Sequence, residues 1–224
     1  MQLTLTPSCF LLRVINGSPI ISPSQDIVLG VYYITVMPEG PSEAVASAAQ
    51  GATPIDQLEE ADRAALKAIP DFKDHAEALM AYELKKIGIH TPITVRLPKG
   101  RFSGLVMPDE KDRGSGGPVQ PLPESGRILT TVGRLIFNDI LEDGMPFYNC
   151  SLGKKGASRV IDDTYAYRGR PATIGLLDAM KNIGFERSTT SGLSFGITDL
   201  RIPEKKQELI AATQKKVDHV EKGF

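Results

Sequence analysis

At 224 residues, with 41% hydrophobic and 24% charged residues, the chain is long enough for one large or two small domains with a substantial core. Its 26 basic and 27 acidic residues leave a formal net charge of −1, which argues against a protein that coats nucleic acid, because nonspecific phosphate binding needs a basic excess. Cys9 and Cys150 are the only cysteines and no apolar run reaches membrane-spanning length, so neither a disulfide framework nor a zinc site is written here, and a cytoplasmic chain with no membrane partner is expected.

Residues 1–15 contain a short apolar run without the basic start or small-residue cleavage site of a signal peptide. Asn16-Gly17-Ser18-Pro19 marks a turn, and 20–36, rich in β-branched and aromatic residues, reads as a strand region. Small and polar residues over 37–53 read as a loop. Thr53-Pro54 then opens a helix in which Leu58, Ala61, Ala65 and Ile69 recur at helical spacing until Pro70. A second amphipathic helix over about 73–87 places Ala76, Leu79, Met80, Leu84 and Ile87 on one face, with Gly88 as its stop. His90 follows with no Cys or His nearby, which favours a structural hydrogen bond over metal binding or catalysis. Residues 94–97 read as a strand.

The stretch 108–125 is rich in Gly, Pro and charge and reads as a mobile loop, with Asp109, Glu110 and Asp112 as a solvated acidic run and not a metal cluster. A strand-like start at 126 leads to Thr130 or Thr131 as the cap of a helix whose Leu135, Ile136 and Ile140 face inward, stopped by Asp143-Gly144. Residues 151–167 form a helix with Ala157, Val160, Ile161, Thr164 and Tyr165 on one stripe. Lys154 and Lys155 stand at its start, the wrong end for the helix dipole, either as a solvated pair or as an anion contact. Pro171 opens the next helix, with Ile174, Leu177, Met180 and Ile183 inside and Gly184 closing it. A polar Ser/Thr loop, a short strand and a final helix over 203–224 follow, the last with Leu209, Ile210, Thr213, Val217 and Val220 in a narrow stripe suited to pairing with another helix.

Several of these stretches together resemble one family. The run GFERSTTSGLSFGITDLRIPEKK over 184–206, the block formed by Asn16, Gly17, Pro19, Ile20, Pro23, Ser24, Gln25, Asp26, Val28, Leu29, Gly30, Tyr32, Tyr33 and Thr35, the TTVGR of 130–134 and Met145-Pro146-Phe147 are similar to the pore region of the largest (beta-prime) subunit of bacterial DNA-directed RNA polymerase. The expected fold is α+β, with mixed short strands and amphipathic helices ending in the start of a long coiled-coil helix. Its expected segments are 1–15 (an atypical N-terminal piece, from a truncated or frame-shifted coding start or a natural extension), 16–107, 108–125, 126–202 and 203–224.

The resemblance implies a fragment that walls the secondary channel for nucleotide entry and RNA 3′-end extrusion. Gln25, Asp26, Arg187, Thr190, Ser191, Gly192 and Asp199 would lie nearest nucleotide or RNA. Thr190 stands where many members carry an arginine, and a threonine cannot fork onto phosphate as a guanidinium does. Implied partners are the beta, alpha, omega and sigma subunits, the DNA template, the RNA and regulatory factors at the rim of the channel. Implied Mg²⁺ and Zn²⁺ belong to residues of the whole subunit that this chain lacks. No catalytic residue is assigned: there is no GxSxG elbow or Walker loop, and Asp162-Asp163, adjacent on a helix, point apart and cannot chelate one ion. The alternatives are a stand-alone, non-catalytic interaction module of the same ancestry and a small-molecule enzyme, for which the titratable groups are scattered.

Two-metal nucleotidyl transfer needs clustered aspartates. The chain alone, given template, Mg²⁺ and all four nucleotides, is therefore expected to make no RNA; incorporation above a protein-free blank would contradict this.

Overall fold

The computed structural model describes residues 22–37, 40–49, 57, 59–109, 114–194, 196–199 and 205–221. The expectations that fall on 1–21, including the turn at Asn16 and the atypical segment 1–15, lie outside the described residues. The chain divides into two compact units, Met1–Ser191 and Gly192–Phe224. The architecture is α+β, as expected.

The first unit opens with helix α1, Gln25–Thr35, where the sequence suggests a strand. The buried residues Gly30, Val31, Ile34 and Thr35 recur at helical and not alternating spacing. Burial on that face outweighs the strand preference of the β-branched and aromatic side chains. The region read as a loop over 37–53 holds a second helix, α2 (Glu43–Ala49), whose Val45, Ala48 and Ala49 are buried. Alanine is the best helix former, and small side chains let this short helix lie close to its neighbours.

Helix α3 covers Glu60–Ala68 and buries no residue, so its Ala61 and Ala65 do not face a core. After strand β1 (Asp71–Phe72) comes α4 (His75–Glu83), begun by a reciprocal cap in which Asp74 Oδ1 accepts from the Glu77 amide at 3.0 Å and Glu77 Oε2 from the Lys73 amide at 2.7 Å. The inward face of α4 is Ala78 with Leu79 and Tyr82. Met80 and Leu84, expected on that face, are 64% and 61% exposed. The helix gives way at Lys85, which takes a left-handed φ of 57°, three residues before the glycine expected to stop it.

Two small sheets follow. Strand β2 (Pro92–Arg96) lies between β1, to which it is parallel, and β5 (Arg127–Thr131), to which it is antiparallel in the register Pro92 to Thr131 through Arg96 to Arg127. Strand β3 (Leu105–Val106) pairs antiparallel with β4 (Val119–Gln120) and parallel with β6 (Phe147–Tyr148). Strand β4 falls inside the segment read as a mobile loop. The carbonyls of Gly116 and Gly117 in that segment each accept a 2.7 Å hydrogen bond from Arg159 Nη1, so its second half is held by backbone bonds that composition does not reveal.

Thr131 caps α5 (Val132–Asp139) as expected, its hydroxyl accepting from the Arg134 amide at 3.3 Å. Helix α6 spans Lys154–Ser191 and is bent at Gly169, whose φ of 78° and ψ of −172° no other residue type adopts easily; Pro171 sits in the first turn beyond the bend. The first arm buries the expected Ala157, Val160, Ile161 and Thr164. The second buries Met180 and Ile183 as expected, but also Ala172, Thr173 and Leu176, while Ile174 is outward. Gly184 does not close this arm. The helix runs through the supposed Ser/Thr loop, with the hydroxyls of Thr189, Thr190 and Ser191 donating to the carbonyls of Phe185, Glu186 and Ser188. It stops before Gly192, which takes φ 63°.

One core gathers α1, α5 and α6 around Val31, Ile34, Phe137, Val160 and Met180. The other packs α4 on β2 and β5 around Ala78, Ile93, Val95, Ile128 and Leu135, and Ile136 touches both. In the second unit, a 3₁₀ turn at Ile197–Asp199 lies in the stretch expected to carry a short strand, and α7 covers Lys206–Glu221. Leu209, Ile210 and Val217 of its stripe are exposed.

Asn138 joins α5 to β6 by imitating a strand: its Oδ1 accepts from the Tyr148 amide at 2.7 Å and its Nδ2 donates to the Tyr148 carbonyl at 3.0 Å, all buried. Asn138→Ala strands two buried backbone groups and is expected to cost about 2–4 kcal/mol, read as a lowered Tm in thermal unfolding; an unchanged Tm would mean that the bonds contribute nothing.

Candidate functional site around helix α1

Helix α1 is gripped on two sides at van der Waals range. A β-carbon on Gly30 would overlap the Gly184 carbonyl of α6, one on Gly184 would lie 2.8 Å from Ile27 Cα, and one on Gly133 of α5 would overlap the Ile34 carbonyl. The C-terminal end of α1 is then fixed by polar contacts. The Thr35 hydroxyl donates to the Val31 carbonyl at 2.8 Å and accepts from the Leu152 amide at 2.9 Å. The Thr35 carbonyl accepts from Arg134 Nε at 2.9 Å, and the Val36 carbonyl stands 3.2 Å from His90 Nδ1, the structural role expected of that histidine.

Arg134 is the centre of this polar network. It is 5% exposed, and its Nη1 donates to both the carbonyl and Oδ1 of Asn149 at 3.1 Å. Asn149 in turn donates through Nδ2 to the Leu129 carbonyl of β5 at 2.8 Å. No carboxylate among the described residues pairs with the guanidinium, and burial pulls its pKa down to about 10. Next to it, burial pushes the Cys150 thiol up to about 11, with Arg134 and Arg159 acting the other way. Tyr148 is held protonated by burial and by its 2.7 Å hydrogen bond to Asp163. The sequence marks TTVGR as a motif without showing that its arginine is buried; Arg134 and Asn138, four residues apart among apolar neighbours, are the signal that could have been followed.

The residues expected near nucleotide or RNA fall into three places. Gln25 and Asp26 form the first turn of α1, and Gln25 takes a left-handed φ of 48°, a conformation uncommon for a non-glycine residue. Gln25 also lines a cleft of about 480 Å³ with Leu29, Tyr32 and the exposed Lys154, so the structure brings together the start of α1 and the lysine pair at the start of α6. Arg187, Thr190 and Ser191 sit on the last turns of α6. Arg187 Nη1 donates to the Tyr82 hydroxyl at 3.3 Å and its Nη2 pairs with Glu186 at 3.3 Å, while the two hydroxyls bond to their own helix. Gly192 and Asp199 belong to the second unit, where Asp199 Oδ2 accepts from the Gly196 amide at 2.8 Å.

Among the described residues no group of three or more His, Cys, Asp and Glu side chains is placed to hold a metal ion. Asp163 is engaged by Tyr148 and by Arg159 Nε at 3.5 Å. No helix of the described residues is long and apolar enough to cross a membrane.

The sequence profile of the family described as RNA polymerase Rpb1, domain 3, matches residues 11–200. The chain belongs to this family. The match starts at residue 11, ahead of the boundary expected at Asn16. Relatives of this polymerase domain include the DNA-directed RNA polymerase subunit beta′ of Rhodopirellula baltica, 38% identical over 211 residues that cover 93% of this chain and 12% of the relative. That of Pelotomaculum thermopropionicum is 33% identical over 210 residues, 93% of this chain and 14% of the relative. That of Thermotoga petrophila is 32% identical over 213 residues, 93% and 10%. The chain thus spans about a tenth to a seventh of the length of these relatives.

The polymerase domain buries Cys150 beside two arginines, yet desolvation dominates, so the thiol stays neutral and unreactive. Burial of the neutral thiol favours the fold below the ordinary pKa of 9.0, and that contribution is lost as pH rises through about 11. In a Cys9→Ser background, Cys150 is expected to resist iodoacetamide at pH 8 and to react on denaturation; rapid labelling of the folded protein, followed by mass spectrometry, would contradict the burial.

Proposed function

We propose that this domain is part of a DNA-directed RNA polymerase largest subunit and contributes to transcription as a wall of the secondary channel, without a catalytic centre of its own. The observation that carries the reading is the family match over residues 11–200, joined by relatives that are all beta′ subunits aligned over 93% of the chain. In this reading the nucleotidyl transfer, its Mg²⁺ and the subunit's Zn²⁺ belong to other parts of the subunit.

The starts of α1 and α6 and the end of the second arm of α6 supply the surface. Gln25 and Lys154 share an open cleft, and Arg187 keeps a guanidinium beside Tyr82 even though Thr190 has no charge to offer phosphate. A wall of this kind passes nucleotides and extruded RNA by charge and shape and need not bind them tightly. The exposed stripe on α7 is the face that another helix of the assembled enzyme would cover, with regulatory factors docking at that rim. The beta, alpha, omega and sigma subunits, template DNA and RNA are the partners of the assembly, in the cytoplasm.

The test is a hybrid enzyme in which residues 16–199 replace the matching segment of the Rhodopirellula baltica beta′ subunit, with a photo-crosslinking side chain at Gln25, Arg187 or Thr190. Backtracked complexes are expected to crosslink to the RNA 3′ end from at least one position, and forward-translocated complexes are not. A hybrid that fails to assemble, or crosslinking that is absent or indifferent to backtracking, would overturn the reading.

A further inference from the structure

A second cavity, of about 450 Å³, opens over the buried arginine. Arg134 and Asn149 line it together with the apolar Met37, Ala46, Met107 and Leu129. The guanidinium carries five N–H donors. Nε is used by the Thr35 carbonyl and Nη1 by Asn149, while Nη2 has no acceptor among the described residues. A buried cation without a counter-charge is unusual, because desolvation is compensated only when an anion shares the site. Here the space for one adjoins the cation.

We propose that this cavity binds a small monocarboxylate with an apolar body, its oxygens accepting from Arg134 Nη2 and its body lying against Met37, Met107 and Leu129. The shape follows from the lining: one fixed cationic N–H donor group, Arg134 Nη2, set among apolar walls. The charge follows from the cation itself: the single guanidinium of Arg134, set among apolar walls, compensates one negative charge. The proposal is one of binding alone. The site stands on the geometry of Arg134 alone and does not depend on the polymerase reading.

Benzoate and its neutral counterpart benzamide separate charge recognition from apolar contact. In the full chain, saturation-transfer NMR titration is expected to show benzoate binding saturably and at least about ten-fold more tightly than benzamide, which corresponds to about 1.4 kcal/mol. Ala46→Phe fills the cavity and should abolish binding. Equal affinity for the two probes or absence of binding by benzoate would each overturn the proposal, whether or not the Ala46→Phe protein folds. Citrate binding as well as benzoate would overturn the monocarboxylate assignment.

Discussion

The contact between Gly30 and Gly184 is the constraint on which the first unit depends. Two helices can bring their backbones this close only where neither carries a side chain, and here Gly30 faces the main chain of Gly184 while Gly184 faces that of Ile27. The approach lets Val31 and Ile34 of α1 share one core with Met180 and Ile183 of α6, and Gly133 of α5 meets the Ile34 carbonyl as closely. Helix α1 is therefore clasped between α5 and α6, and every polar contact at its C-terminal end is made at a position this clasp has already set. Helix α6 is bent at Gly169, and its first arm carries Arg159 to the Gly116 carbonyl.

Burying Arg134 costs desolvation, and the hydrogen bonds to Thr35 and Asn149 offset that cost only in part. What the guanidinium provides is connection. It ties the end of α1 to the strand-like segment after β6, and through Asn149 to β5, three pieces that sequence keeps far apart. Asn138 does for β6 what Arg134 does for α1. Polar side chains standing in for backbone partners allow strands of two residues to persist, where a ladder of their own would be too short to hold.

Much of this was legible in the sequence. The cap at Thr131, the inward Ala157, Val160, Ile161 and Thr164, the opening at Pro171 and the family itself follow from local signals that the structure keeps. Locally, Gly30 reads as a strand residue and Gly184 as a helix stop, but both serve a contact between segments far apart in sequence. Likewise the β-branched content of α1 suggested pleated structure because propensity carries no information about which face a distant helix will cover. The polar run of Thr189, Thr190 and Ser191 looked like a loop because hydroxyls compete with helix backbone; here they bond to carbonyls of their own turn and stay helical. The site was the least legible part. The resemblance named Gln25 and Arg187, but the cavity beside the buried Arg134 depends on α2, β5 and α5 meeting, which no spacing announces.

The account's central claim is that α1 and α6 meet backbone to backbone, and Gly30→Ala tests it because two effects of opposite sign compete. Helix propensity alone would stabilise the protein by about 0.8–1 kcal/mol. The clash with the Gly184 carbonyl should dominate, costing about 3 kcal/mol, so that a net loss of about 2 kcal/mol lowers the calorimetric Tm by roughly 4–8 °C for a chain of this length. A Tm equal to or above that of the unaltered protein would contradict the account.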